Sequence, residues 1–187
     1  MCISRALVMC CAPLIDSLEP SHLPAEMNIH WETLPFAQLP VSSLYALLQL
    51  RSEVFVVEQR CAYQDVDGKD IGALHVLGWD SGDRNRLLAC TRLLKPGDSF
   101  AEASIGRVVT SPVTRGTGLG HLLMAQSVSS LFAQWGEQDI RIGAQAHLQA
   151  FYRQHGFVTE GAPYEEDGIP HVEMIRRVGQ GEQPGPN

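Results

Sequence analysis

The chain has 187 residues, 44% of them hydrophobic and 19% charged, with 14 Lys and Arg against 21 Asp and Glu for a formal net charge of −7. That length suits one domain whose core stands without disulfide or metal staples. The composition is globular rather than disordered, and the acidic balance argues against a nucleic-acid partner held through its phosphates. No apolar run nears the roughly 18–20 residues of a membrane span, so no membrane partner is expected. The cysteines, at 2, 10, 11, 61 and 90 without a CxxC pair, form neither a disulfide framework nor a zinc site. A reduced, cytoplasmic protein is expected.

Residues 1–26 hold one basic residue, Arg5, and an apolar run from Ala6 to Ile15 broken by Pro13, without a small-x-small cleavage site. They match a signal peptide poorly and are expected to be a disordered extension, or to precede a true start at Met27. The tail 179–187, dominated by Gly, Gln and Pro, is expected to be disordered. The folded domain is expected at residues 27–178.

Ser42 and Ser43 before Leu44, Leu47, Leu48, Val54 and Phe55 predict a serine-capped first helix. A loop over Cys61–Gly72 follows. Strands are predicted at Ala73–Trp79, Leu87–Leu94 and Ala103–Thr110, with turns at Asp80–Asp83 and Pro96–Asp98 between them. Gly118–Gln134 predicts a long helix with Leu119, Leu122, Leu123, Ala125, Val128 and Leu131 at core-like spacing. A short strand at Ile140–Gly143, a short helix at His147–His155 stopped by Gly156, and a strand pair, Phe157–Thr159 with His171–Arg177, close the chain. The fold class expected is α/β, a single domain with a mixed, mostly antiparallel central sheet flanked by helices.

The strongest chemical signal is Arg115-Gly116-Thr117-Gly118-Leu119-Gly120, between the third strand and the long helix. Glycines let the backbone wrap closely around an anion, and the first N–H groups of the helix point at it with the helix dipole in favour. A diphosphate suits such a loop; a plain structural turn is the other reading. No Gly-Lys-[Ser/Thr] follows, and the dinucleotide fingerprint fails in its third glycine. The second signal is Ala150-Phe151-Tyr152-Arg153-Gln154-His155-Gly156-Phe157, a tyrosine on a short helix before a strand.

Together these two stretches resemble the GNAT superfamily of acyl-CoA-dependent N-acetyltransferases. Arg115-x-x-Gly118-x-Gly120 stands where that family has its pyrophosphate loop, and Phe151-Tyr152 with Gly156-Phe157 is similar to its tyrosine helix. Leu44–Arg51, Val54–Gln59, Tyr63–Asp65, Gly143–Gln149 and Tyr164–His171 resemble the ElaA branch of the superfamily more closely.

The resemblance implies a GNAT-like fold and an N-acetyltransferase that takes acetyl-CoA as acyl donor, without a metal. It implies direct transfer to a small-molecule or protein amine, with a homodimer as one assembly to test. Backbone groups of Val108, Val109 and Thr110 would hold the pantetheine arm, and Arg115, Gly116, Thr117, Gly118, Leu119 and Gly120 the diphosphate. His121 either touches a phosphate or is a solvated helix residue. Gln145 stands where the family often has an Asn that meets the coenzyme arm. Tyr152 is the candidate general acid for the leaving thiolate. The general base stays open among Glu53, Glu58, His75 and His171, with bulk water as a further candidate. Asp65, Asp67 and Asp70 lack EF-hand spacing. Asp65, Asp67, Glu165, Glu166 and Asp167 are instead expected to line an acidic mouth that favours a cationic amine, or to be solvated loop acids. Two other classes remain: a non-catalytic acyl-CoA-binding sensor, and an acyl-homoserine-lactone-synthase-like enzyme. Arg51-x-x-Val54-Phe55 resembles the synthases' first-helix motif, but they lack the glycine loop.

Overall fold

The run Leu87-Leu88-Ala89-Cys90-Thr91-Arg92-Leu93-Leu94 has no polar alternation, and every one of its residues is buried. A strand covered on both faces has this pattern. In this computed structural model, which describes residues 28–179, the run is the third strand of a seven-stranded sheet. The elements in chain order are β1 (Ile29–Pro35), α1 (Val41–Arg51), β2 (Leu74–Asp80), β3 (Leu87–Leu94), β4 (Ala103–Thr110), α2 (Leu119–Trp135), β5 (Ile140–Gln145), α3 (Gln149–Arg153), β6 (Val158–Glu166) and β7 (Ile169–Arg176). The order across the sheet is β1-β2-β3-β4-β5-β7-β6. Only β4 and β5 run parallel; the other neighbours are antiparallel. The fold is therefore the mixed, mostly antiparallel α/β sheet expected. The expectations for residues 1–26 and 180–187 lie outside the described residues.

Alternation along β2 sorts its side chains into two cores. Val76 joins Leu119, Leu123, Met124 and Leu131 of α2 and Ile142 and Met174 of the sheet. Leu77 and Trp79 face the other way, onto Leu47 and Leu50 of α1. On α2, Leu119, Leu123 and Leu131 are buried as their spacing predicts, whereas Leu122 is 55% exposed, beyond the width of the apolar stripe.

Several boundaries depart from expectation. The sequence does not predict β1, because only Ile29, Trp31 and Leu34 stand out in a polar stretch. It is an edge strand with Trp31 opposite Gly78. A Cβ on Gly78 would lie 2.7 Å from the Trp31 ring, so the ring packs directly on backbone. On the other side of β1, Trp79 Nε1 donates to Glu32 at 2.8 Å. The first helix begins at Val41 with Pro40 at its N-cap and no side-chain cap, which corrects the serine cap. Beyond Arg51 it widens into a π-helix over Ser52–Glu58, a change of pitch that 3.6-residue periodicity does not register. The last hairpin is longer than predicted. Most of β6 is exposed and carries no apolar alternation. The two-residue turn Asp167-Gly168 holds it, with φ of +50° and +78°, the type I′ geometry of tight hairpins.

Candidate active site

β4 and β5 are paired only at Ala103–Ile140 and Ser104–Arg141. Beyond Ser104, β4 bulges: Arg92 pairs with Gly106 and Cys90 with Val109, and Arg107 sits at φ +52°. β5 meanwhile follows β7. The strands part, and the β5-facing edge of β4 through Val108, Val109 and Thr110 is left without a strand partner. Between them opens a cleft of about 500 Å³, lined among others by Gly106, Arg107, Val108, Gly143, Gln145, Tyr152, Tyr164 and His171.

The chain leaves β4 through a 3₁₀ turn at Pro112–Thr114 and enters the glycine loop. Gly116 and Gly118 have φ of +76° and +84°, which glycine adopts without strain, and open space surrounds both. Thr117 Oγ1 donates to Thr114 O at 2.6 Å and braces the turn. The first intrahelical bonds of α2 run from His121 and Leu122 to Gly118 O. Among the described residues, the N–H groups of Gly116, Gly118, Leu119 and Gly120 donate to no protein acceptor. They form a set of free donors at the start of a helix, suited to a diphosphate. Arg115 is half exposed and meets Glu58 at 2.7 Å. Gly120 lies beneath Phe151, 3.5 Å from where its Cβ would stand. The loop is thereby seated on α3, whose next residue, Tyr152, lines the cleft.

Tyr152 is 7% exposed. Burial pushes its phenol up to about 12, so the group holds its proton at neutral pH. His171, on β7, also lines the cleft. Its Nδ1 lies 2.8 Å from Ile169 O. A carbonyl only accepts, so Nδ1 carries the proton and the neutral ring keeps its lone pair on Nε2. Gln145 lines the cleft and donates to Gln59 at 3.3 Å. The remaining base candidates are elsewhere. His75 is fully buried on β2 and bonds Asp70 O at 3.3 Å; burial lowers its pKa, and it does not reach the cleft. Glu53 is exposed on the π-helix, and Glu58 is held by Arg115. His121 is exposed outside the cleft, its Nδ1 3.0 Å from His155 Nε2.

The loop acids correct the expected acidic mouth. Asp65 is buried and accepts from Arg51 at 2.8 Å and from Arg107 at 2.7 Å. Asp67 accepts from both terminal nitrogens of Arg92, at 2.6 and 2.8 Å. Asp70 takes Arg51 at 2.6 Å. Each is balanced by an arginine, which leaves Glu166 and Asp167 of the hairpin as the cleft's unpaired carboxylates. Burial opposes ionisation of Asp67, but its bonds to Arg92 outweigh it and hold the carboxyl well below the usual range. Among the described residues no three His, Cys, Asp or Glu side chains are grouped to share a metal ion.

The domain profile described as "Acetyltransferase (GNAT) domain" matches residues 83–178, which span β3 through β7. The chain belongs to the GNAT acetyltransferase family. It is 46% identical over 152 residues to Protein ElaA of Escherichia coli (strain K12), across 80% of this chain and 97% of that one. The solved structure of Escherichia coli ElaA superposes with a TM-score of 0.74 at 45% identity, covering 80% of this chain and all of that one. An acyl-CoA N-acyltransferase from Pseudomonas aeruginosa gives 0.73 at 45% identity, covering 79% and 99%. A CoA-dependent acyl-homoserine lactone synthase, BjaI, gives 0.67 at 16% identity over 81% and 84%, a likeness of fold alone. No helix among the described residues is long and apolar enough to cross a membrane.

Within this GNAT domain the sequence reading missed Arg92, Arg107 and Tyr164, all in the cleft. The three closely spaced aspartates were a usable signal for the arginines. Acids collected on one loop of a folded chain require counter-charges when they are buried.

Proposed function

We propose that the chain transfers the acetyl group of acetyl-CoA directly to an amine. One arrangement carries this reading. Gly120 of the glycine loop, whose N–H groups are unpartnered, packs on Phe151, and the next residue, Tyr152, shares one cleft with Val108 on the open edge of β4 and with His171.

The diphosphate would sit on the N–H groups of Gly116, Gly118, Leu119 and Gly120, with Arg115 and His121 flanking it. The pantetheine arm would add to the free edge of β4 at Val108–Thr110, as a strand adds to a sheet edge, with Gln145 beside it. This alignment turns a bimolecular encounter into a local one. His171 Nε2 takes a proton from the acceptor ammonium, and the amine lone pair bonds to the thioester carbon. The C–S bond breaks, the thiolate takes its proton from the phenol of Tyr152, and the remaining extra proton on the acylated nitrogen passes to the phenolate, which restores the phenol. General acid catalysis of this kind contributes about 10²–10⁴-fold. Cys61 and Cys90 are free thiols, which fits a reduced, cytoplasmic setting.

The test is a thiol-release assay with acetyl-CoA across a panel of amines, with product mass measured in parallel. Thiol and acetylated amine should appear in equal amounts. Acetyl-CoA binding by calorimetry without release on any amine would make the chain a coenzyme-binding module. Release that requires S-adenosylmethionine as acceptor would place it with the lactone synthases.

A further inference from the structure

Tyr164 on β6 and His171 on β7 are opposed in register. Their rings stack with centroids 5.8 Å apart and planes 29° apart. From there the phenol reaches over β7 to β5, where a Cβ on Gly143 would lie 2.8 Å from its oxygen. Residue 143 has no side chain, and Tyr164 uses that space. The Tyr164 hydroxyl has no protein partner among the described residues, and Gly143, Tyr164, Glu166 and His171 line the same cleft. Burial, then the charges of Glu166 and Glu173, push the Tyr164 phenol upward, so it remains a neutral donor and places both carboxylates nearby. Glu173 is tied to Arg141 at 3.0 Å. Glu166 has no cationic partner within 4.0 Å among the described residues. Elsewhere in the cleft the Lys69 ammonium bonds Ser99 Oγ at 2.9 Å and has no carboxylate partner among the described residues, while Arg92 and Arg107 are spent on Asp67 and Asp65.

We propose that Tyr164, His171 and Glu166 form the acceptor's seat, and that it is built for one primary alkylammonium. This rests on the acyl-transfer reading above and names its acceptor class. Glu166 supplies the charge that draws the cation into the cleft, and the Tyr164 ring offers it an aromatic face. Tyr164 is a positioning residue: its ring fixes the imidazole plane, and its hydroxyl, over Gly143, sets where the nitrogen stops. One ammonium proton moves to His171 Nε2, and the lone pair it leaves behind attacks the thioester carbon. Of the cleft's unpaired charges, those of Asp167 and Lys69 cancel and leave the one on Glu166, so a second positive charge on the acceptor gains no partner and a polyamine suits the cleft less well than a monocation. An arylamine, uncharged at neutral pH, gains nothing from Glu166.

The experiment uses the full chain with acetyl-CoA and three probes: butylamine, spermidine and aniline. Butylamine should give the highest kcat/KM. Tyr164→Phe and Gly143→Ala, the second by displacing the hydroxyl, should each lower kcat/KM for butylamine about tenfold, the loss of one well-placed hydrogen bond, while KM for acetyl-CoA stays unchanged. His171→Gln should lower kcat for butylamine while KM for acetyl-CoA stays unchanged, because the acceptor nitrogen loses the base on Nε2. The groups opposite His171 are Tyr164 from β6 and Gln145 from β5. Parent-like kinetics in both Tyr164→Phe and Gly143→Ala, or a preference for spermidine, would overturn the proposal. A second readout does not need turnover. Butylamine added to the CoA-loaded chain should shift the NMR signals of the His171 and Tyr164 rings, and Glu166→Gln should weaken that response. Unmoved signals overturn the seat even where thiol is released. Shifted signals without thiol release uphold the seat and overturn the transfer reading instead.

Discussion

Arg51 Nε donates to Asp65 Oδ2 at 2.8 Å, and the other oxygen of the same carboxylate accepts from Arg107 Nε at 2.7 Å. Asp65 thus couples the end of α1 to the bulge of β4 that opens the cleft. Arg51 has no solvent exposure, and its remaining nitrogens take Asp70 and Asp65 O. Burial works against its charge, but these bonds outweigh it and raise its pKa.

Arg51→Met should therefore be severe. It fills much of the volume but leaves Asp65 and Asp70 buried without that counter-charge, a loss of about 3–5 kcal/mol. For a domain of this size the drop in Tm is on the order of 10 °C. Scanning calorimetry at neutral pH checks it, and a shift within a degree or two would show that Arg92 and Arg107 suffice.

The same network sets the acid limit. Asp70 is buried; desolvation raises its pKa, but its bond to Arg51 more than reverses this, so the carboxyl sits below its ordinary value. Asp67 behaves alike through Arg92. A depressed carboxylate contributes stability that is complete above its unfolded pKa, about 4, and is lost as pH falls through the folded value. Denaturant midpoints should be flat from pH 7 to about 5 and fall steeply below about 4. Asp70→Asn should be less stable at pH 7 and show a shallower acid decline. A parallel decline in both proteins would exclude Asp70 as a source.

Gly118 has φ +84° with open space around its missing side chain. Gly118→Glu should fold with a modest loss, about 1–2 kcal/mol for the left-handed backbone, yet bind acetyl-CoA at least tenfold more weakly, since a carboxylate enters the space suited to the diphosphate. Gly120→Ala meets only ordinary contact with Phe151 at 3.5 Å and should keep its affinity. Calorimetric titration of both decides whether the loop is the phosphate site.

Tyr152→Phe removes one proton donor and keeps the ring. It should lower kcat by about 10²–10⁴-fold with acetyl-CoA affinity little changed. Because burial places this phenol at about 12, Tyr152 stays protonated through the range in which the chain can be assayed. The parent should show no alkaline limb from this group well below that value. A limb near pH 9 that disappears in Tyr152→Phe would contradict the burial.

The local features were legible because their causes are local. Gly116 and Gly118 mark a backbone that turns with positive φ before a helix, and the run Leu87–Leu94 marks a strand. Those facts are set within a few residues by sterics and by where apolar surface must go. The cleft is different. It exists because β4 bulges at Arg107 while β5 follows β7, and no short stretch records the divergence. Asp65 and Asp67 read as part of an acidic mouth, or as solvated loop acids, until folding brings Arg51, Arg92 and Arg107 against them from 14 to 42 positions away. His75 and His171 look equivalent as residues; β2 buries one and β7 sets the other in the cleft. Charge interactions depend on distance and burial, and both are fixed by the assembled sheet. The contact of Tyr164 with Gly143, made across an intervening strand, belongs to the tertiary structure for the same reason.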